Sequence, residues 1–213
     1  MSLILIEGNI SASKSTVVQG LDGVKFPEPL EDQNPWLPLF YADSKANGTY
    51  MQLYTLFYRY KQWKLAQSMD AMNPEKLYLL DRSLFFDHCF ARVNHEYGNI
   101  TDIQMGLYQM AHSILQEQIY FPDLCIWLRV SPKTCLERLK LRARGCEVGV
   151  TLEYLEKIEE AYCEAMSTMA KKCKVVEVNG EQDRDAVLRD CKRVIAERLE
   201  EQAHVWPRWK GGL

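Results

Sequence analysis

The sequence predicts an α/β fold built on a parallel sheet. Short apolar runs without polar alternation carry this reading, together with the helix-length segments that separate them. A strand covered on both faces reads as a continuous apolar run. Residues 3–6 (LILI), 77–80 (LYLL), 124–130 (LCIWLRV) and 175–178 (VVEV) are the four candidates. Residues 50–71 place Leu53, Leu56, Phe57, Tyr60 and Lys64 at helical spacing. Ser131-Pro132 reads as an N-cap followed by Pro at the first helical position. Thr151 caps a helix over 152–172, and 183–202 forms a terminal helix. No linker, repeat or composition break divides the chain, so residues 1–213 are expected to form one domain.

Composition narrows the function classes. Hydrophobic residues are 47% and charged residues 26% of 213, the balance of a globular chain rather than a disordered one. A formal charge of −3 argues against a nucleic-acid binder, and no apolar run is long enough to span a bilayer. The seven cysteines (Cys89, Cys125, Cys135, Cys146, Cys163, Cys173, Cys191) are odd in number and lack CxxC spacing. They point to a reducing compartment, not a disulfide or zinc framework. Met1-Ser2 leads straight into the first strand, so a cytoplasmic protein, or a chain from which a leader has been trimmed, is expected.

The sharpest motif follows the first strand. Gly8-Asn9-Ile10-Ser11-Ala12-Ser13-Lys14-Ser15-Thr16 matches the phosphate-binding pattern G-x-x-x-x-G-K-[ST] except at Ser13. Such a loop turns backbone N–H groups toward a phosphate, at the positive end of the following helix. Lys14 is expected to reach the outer phosphates and the Ser15 hydroxyl to ligate Mg²⁺. A serine where the pattern has glycine predicts crowding or backbone strain. Asp81 ends the second run, where a phosphate-loop enzyme places a metal partner, although strand-end aspartates are also common turn residues. Arg138 and Arg142 share one helix face, and Arg144 follows just before Gly145. They suit a mobile flap over a triphosphate or, equally, an ordinary solvated basic face.

Taken together, IEGNISASKST, PEPL, DRS and ERLKLRAR with a Glu three residues on resemble the deoxynucleoside kinase family, in order, from residue 3 to about 183. The resemblance implies a P-loop kinase-type parallel sheet flanked by helices, with an arginine-rich lid at about 138–150. It implies ATP or another nucleoside triphosphate as donor, Mg²⁺, a deoxynucleoside acceptor, nucleotide salvage and a homodimer packed through helices. By the same resemblance Glu28, framed by Pro27 and Pro29, is the general base, and Arg82 lies near the 5′-oxygen and the transferring phosphoryl. Asp81 stands where most relatives have Glu. Tyr41 and Glu147 hold the sugar 3′-hydroxyl, while Gln52, Arg59 and Asp87 read the base. The loop with Glu181, Gln182 and Asp183 wraps the donor base, and Trp36 is the pocket tryptophan. Without the resemblance, Glu28 and Glu147 read as loop acids, Tyr41 as core, Arg59–Asp87 as an ion pair, and 179–183 as a plain loop with a helix cap.

Two departures concern the base pocket. Met51 replaces a stacking aromatic, and Ala91 aligns with the facing aromatic, with Phe90 one position off. A wider pocket friendly to purines is the expectation, with thymidine poorly used. Two other readings remain at this point. A nucleoside monophosphate kinase would need arginines where Glu28, Tyr41 and Glu147 stand. A non-catalytic nucleotide-binding protein is suggested by Ser13 and opposed by Lys14, Asp81, Arg82 and Glu28.

Overall fold

Five parallel strands form the sheet of the computed structural model, in the order β2-β3-β1-β4-β5. The structure describes residues 3–28, 34–142 and 149–205. The strands are β1 (Leu3–Glu7), β2 (Val24–Phe26), β3 (Tyr78–Asp81), β4 (Leu124–Arg129) and β5 (Lys174–Asn179). The four expected apolar runs became β1, β3, β4 and β5. Edge strand β2 has three residues, one of them Lys25, and so leaves no apolar signature. It is fixed by its pairing with β3, Val24 opposite Tyr78.

Eight helices cover the sheet among the described residues: α1 (Lys14–Gly20), α2 (Trp36–Ala42), α3 (Ser44–Met72), α4 (Asp87–Glu96), α5 (Asp102–Gln116), α6 (Pro132–Arg142), α7 (Leu152–Met169) and α8 (Arg184–Val205). Their starts follow local chemistry. Ser131 Oγ accepts from the Thr134 N–H at 3.2 Å, and Thr151 Oγ1 from the Tyr154 N–H at 3.2 Å, as the sequence predicts. Asp43 Oδ1 accepts from Ala46 N–H at 3.0 Å and starts α3 six residues before the expected 50. The second turn begins at Gly48, where a Cβ would meet the Asn99 carbonyl oxygen at 2.7 Å. Close approach of the 94–99 turn explains a glycine that lowers helix propensity.

Alternate residues of β1 feed two cores. Leu3 and Leu5 pack with Leu56, Trp63, Phe86 and Tyr162 under α3, α4 and α7. Ile4 and Ile6 pack with Val17, Val18, Leu139 and Cys191 under α1, α6 and α8. Burial on both faces is what the unalternating run requires. Cys89, Cys125, Cys135 and Cys191 are buried core residues, while Cys163 and Cys173 are half-buried. The register sets Ile6 beside Asp81 and Glu7 beside Trp127. The carboxyl ends of β1 and β3 therefore open on one edge, where parallel sheets bind their ligands.

Candidate active site

Gly8 leaves β1 with φ 152°, and a Cβ there would lie 2.8 Å from the Leu128 carbonyl oxygen. Ser11 and Ser13 adopt left-handed φ values of 59° and 66°. Ser13 is therefore a serine in a conformation that glycine adopts without cost, as the departure from the motif implies. Lys14 begins α1 and folds onto the loop, donating to the carbonyls of Gly8 (3.0 Å) and Asn9 (2.7 Å). Burial, reinforced by the neighbouring Arg82 charge, lowers its pKa to about 8. The Asn9 amide donates to the Leu155 carbonyl at 2.9 Å and ties the loop to α7.

Ser15 Oγ donates to Asp81 Oδ2 at 2.5 Å, and Asp81 Oδ1 is buried with no hydrogen-bond partner. Burial, with Glu28 nearby, raises the Asp81 pKa against the pull of Lys14 and Ser15. A buried carboxylate with a spare oxygen, beside a hydroxyl at a phosphate loop, is an oxygen donor set suited to a hard divalent cation.

Glu28 follows β2 and sits between two arginines. Arg59 Nη2 donates to its Oε1 at 2.6 Å and Arg82 Nε to its Oε2 at 2.9 Å. Burial alone would raise the carboxyl; Arg82 first and then Arg59 outweigh it and hold Glu28 at about 2. Arg59, on α3, also pairs with Asp87 Oδ1 on α4, whose Oδ2 accepts from Tyr108 at 2.8 Å. Burial pushes Asp87 up, while Arg59 and then Tyr108 pull it down. Gln52 lies two helical turns before Arg59 on the same face. Its Oε1 is buried and unpartnered.

These groups share one cleft of about 670 Å³. Ile10, Ser11, Ser13, Lys14, Ser15 and Thr16 line its phosphate-loop end, and Glu28, Tyr41, Met51, Gln52, Arg59, Arg82 and Asp87 line the other. Gly8, Asn9, Ala12 and Asp81 lie buried beneath it. Arg138 spans to the far wall, donating to the Gly180 carbonyl at 2.9 Å, and Arg142 also lines the cleft. Arg144 and Glu147 lie outside the described residues, as does the 206–213 tail.

Some expected roles shift. Ala91 is fully buried in the core, and Phe90 faces the cleft with the Arg82 guanidinium 4.9 Å from its ring. An aromatic wall therefore stands on that side, which leaves Met51 as the one lining departure behind the expectation of a wider pocket. Trp36 stacks on Tyr50 with ring centroids 5.1 Å apart and does not line the cleft. Glu181 accepts from the Ser131 N–H at 2.9 Å and caps α6, and Asp183 caps α8 through the Asp185 and Ala186 N–H groups. Of the 181–183 loop, Gln182 reaches the cleft.

Sequence reasoning missed Glu7 and Tyr162. Glu7 is fully buried and accepts from Ser83 N (2.8 Å), Ser83 Oγ (3.0 Å) and the Tyr162 hydroxyl (3.0 Å). A carboxylate ending an apolar run reads as the start of a loop, and a tyrosine on an apolar helix face reads as core. Only the placement of Glu7 directly before the phosphate loop could have singled it out.

A parallel sheet with a phosphate loop after its first strand, a carboxylate ending the neighbouring strand and arginines across the cleft define a P-loop phosphotransferase. A model of the deoxynucleoside kinase family matches residues 4–202. The chain is 34% identical over 181 residues to a deoxyadenosine kinase of Dictyostelium discoideum, covering 83% of this chain and 71% of that protein. It is 33% identical over 171 residues to a deoxyguanosine kinase of Lactobacillus acidophilus, covering 76% of this chain and 71% of that protein. A solved structure of deoxyadenosine kinase from M. mycoides with bound dCTP superposes with a TM-score of 0.79 at 27% identity, over 92% of this chain and 99% of that one. The chain belongs to the deoxynucleoside kinase family and is a nucleoside kinase; a thymidylate kinase-like reading is not favoured.

Proposed function

We propose that this enzyme moves the γ-phosphoryl group of ATP, or of another nucleoside triphosphate, to the 5′-hydroxyl of deoxyadenosine, deoxycytidine or deoxyguanosine in preference to thymidine. The observation that carries this is the position of Glu28, held by Arg59 and Arg82 between the phosphate loop and the Gln52–Asp87 wall. Glu28 accepts the proton of the 5′-hydroxyl as the oxygen attacks. Lys14, Arg138 and Arg142, joined by Arg144, balance the charge on the triphosphate. Ser15 and Asp81 would hold Mg²⁺, which supplies charge neutralisation at the phosphates. Tyr41 and Glu147 hold the sugar.

Gln52 offers an amide donor and acceptor to a ring nitrogen beside an exocyclic amine, the edge that adenine and cytosine share. Asp87 accepts the second amine proton. Guanine is accommodated when Arg59 turns to its oxygen, whereas thymine would set a carbonyl oxygen against the carboxylate. The kinases of adenine, guanine and cytosine deoxynucleosides among the relatives support this preference.

We further read the enzyme as a homodimer acting in cytoplasmic nucleotide salvage. Ile103, Leu107, Met110 and Ile114 lie at helical spacing on the exposed face of α5, and an apolar stripe of that length suits a helix-to-helix contact. The unmatched cysteines suit a reducing compartment. Transfer of label from γ-labelled ATP to nucleosides and to their monophosphates tests the proposal. Labelled 5′-monophosphates from deoxynucleosides are expected. Transfer to monophosphates alone would overturn it.

A further inference from the structure

Arg82 is placed by its backbone first. It has φ 70°, a left-handed conformation that a side-chain-bearing residue rarely adopts, and its N–H donates to the Ile6 carbonyl at 3.1 Å. The side chain then makes three directed contacts. Nε donates to Glu28 at 2.9 Å, and Nη1 donates to the Tyr162 hydroxyl at 2.7 Å and to the Gly8 carbonyl at 3.3 Å. The Phe90 ring lies against the guanidinium at 4.9 Å. Nη2 takes part in none of these bonds.

The Tyr162 hydroxyl has one available polarity. A guanidinium only donates, so the hydroxyl accepts from Arg82 and spends its own proton on Glu7 Oε2 at 3.0 Å. Glu7 is held in turn, because its other oxygen takes both the N–H and the hydroxyl of Ser83, the residue after Arg82. The end of β1, the turn after β3 and α7 therefore meet at one buried hydroxyl. Packing does not call for that hydroxyl. The Tyr162 ring stacks on Phe86 with centroids 5.4 Å apart in a fully buried site, and phenylalanine would fill the same space without a polar group to satisfy.

We propose that Tyr162 is a positioning residue for the reaction: its hydroxyl, anchored by Glu7, aims the Arg82 guanidinium so that Nε serves Glu28 while Nη2 faces the transferring phosphoryl group. The inference rests on the role given to Arg82 above. Transition-state contacts need placement within a fraction of an ångström, and a support of this kind supplies it.

The test is a cycle of Tyr162→Phe, Arg82→Lys and the double variant, read as kcat and KM for deoxyadenosine and for ATP, with Tm alongside. Tyr162→Phe is expected to lower kcat about 10- to 100-fold, with both KM values within about threefold of the parent. In the Arg82→Lys background it is expected to add less than about twofold, because its effect passes through Arg82. A kcat for Tyr162→Phe within about twofold of the parent, or losses that multiply in the double variant, would overturn the inference. A purely structural tyrosine would lower Tm without that dependence on Arg82. Should Tyr162→Phe fail to fold, Glu7→Gln carries the same criteria, since it keeps an acceptor for Ser83 and loses the anionic anchor of the hydroxyl. Arg82→Lys as fast as the parent would sink the role of Arg82 itself. An impaired Arg82→Lys beside an unimpaired Tyr162→Phe would sink only the positioning role.

Discussion

Arg59 Nη2 donates to Glu28 Oε1 at 2.6 Å while the same guanidinium pairs with Asp87. One side chain thus joins the residue proposed to take the proton to the residue proposed to read the base. A base that draws Arg59 toward itself loosens its hold on Glu28, so the match of the base bears on turnover as well as on binding.

Glu28→Gln removes the proton acceptor and keeps the shape. The expected outcome is a kcat lower by about 10²–10⁴-fold with nucleoside binding largely kept. Steady-state kinetics with direct nucleoside binding checks it; turnover within a few-fold of the parent would show that another group takes the proton. Because Arg82 and Arg59 hold the carboxyl at about 2, Glu28 is ionised throughout the assayable range and places no acidic limb on the rate above pH 4.

Ser13→Gly relieves the left-handed φ of 66°. An L-residue in that region costs roughly 1–2 kcal/mol, and the extra freedom of unfolded glycine offsets roughly 0.5–1 kcal/mol. A small gain in Tm is expected, with a higher kcat/KM for the donor because backbone amides approach the phosphates unobstructed. Unchanged donor kinetics would mean that the loop accommodates serine without crowding.

Lys14 sets a pH dependence for the donor. In the free enzyme burial brings its pKa to about 8, and a bound triphosphate favours the charged form and raises it. Binding then requires proton uptake as the pH approaches and passes 8, so KM for ATP is expected to rise about twofold between pH 7 and 8 and more steeply beyond. Initial rates across pH 6.5–9.5 measure it. A donor KM that is flat to pH 9.5 would place Lys14 away from the phosphates.

The parallel sheet was legible because β1, β3 and β4 are buried on both faces and show it in apolar runs, while β5, half-buried and interrupted by the exposed Glu177, shows it in its valines. Strand β2 was not, since three edge residues with Lys25 among them depend on pairing rather than on pattern. The phosphate loop, Glu28, Arg82, Gln52, Arg59 and Asp87 were legible as motif positions, and the fold gathers them in one cleft. The roles of Phe90 and Ala91 were not, because a helix places adjacent residues about 100° apart and alignment alone does not fix which one faces the cleft. Glu7 and Tyr162 were hidden for a different reason: buried polar pairs between distant segments leave no local pattern.

Tyr108→Phe removes the donor to Asp87 Oδ2. Among the described residues the aspartate then keeps Arg59 as its side-chain hydrogen-bond partner and loses its fixed orientation toward the base. A loss of about 1–3 kcal/mol in discrimination among bases is expected, seen as a narrower gap between deoxyadenosine and thymidine in kcat/KM. An unchanged gap, with the variant folded, would mean that Arg59 alone orients Asp87.

Base preference is read out by kcat/KM for the four deoxynucleosides, on the parent and on the Arg59→Met, Asp87→Ala double variant. The parent is expected to use deoxyadenosine, deoxycytidine or deoxyguanosine well, with a purine slightly ahead, and thymidine poorly. The double variant, freed of the carboxylate that opposes the thymine oxygen, is expected to gain thymidine activity relative to the others. Thymidine as the best substrate of the parent would contradict that preference.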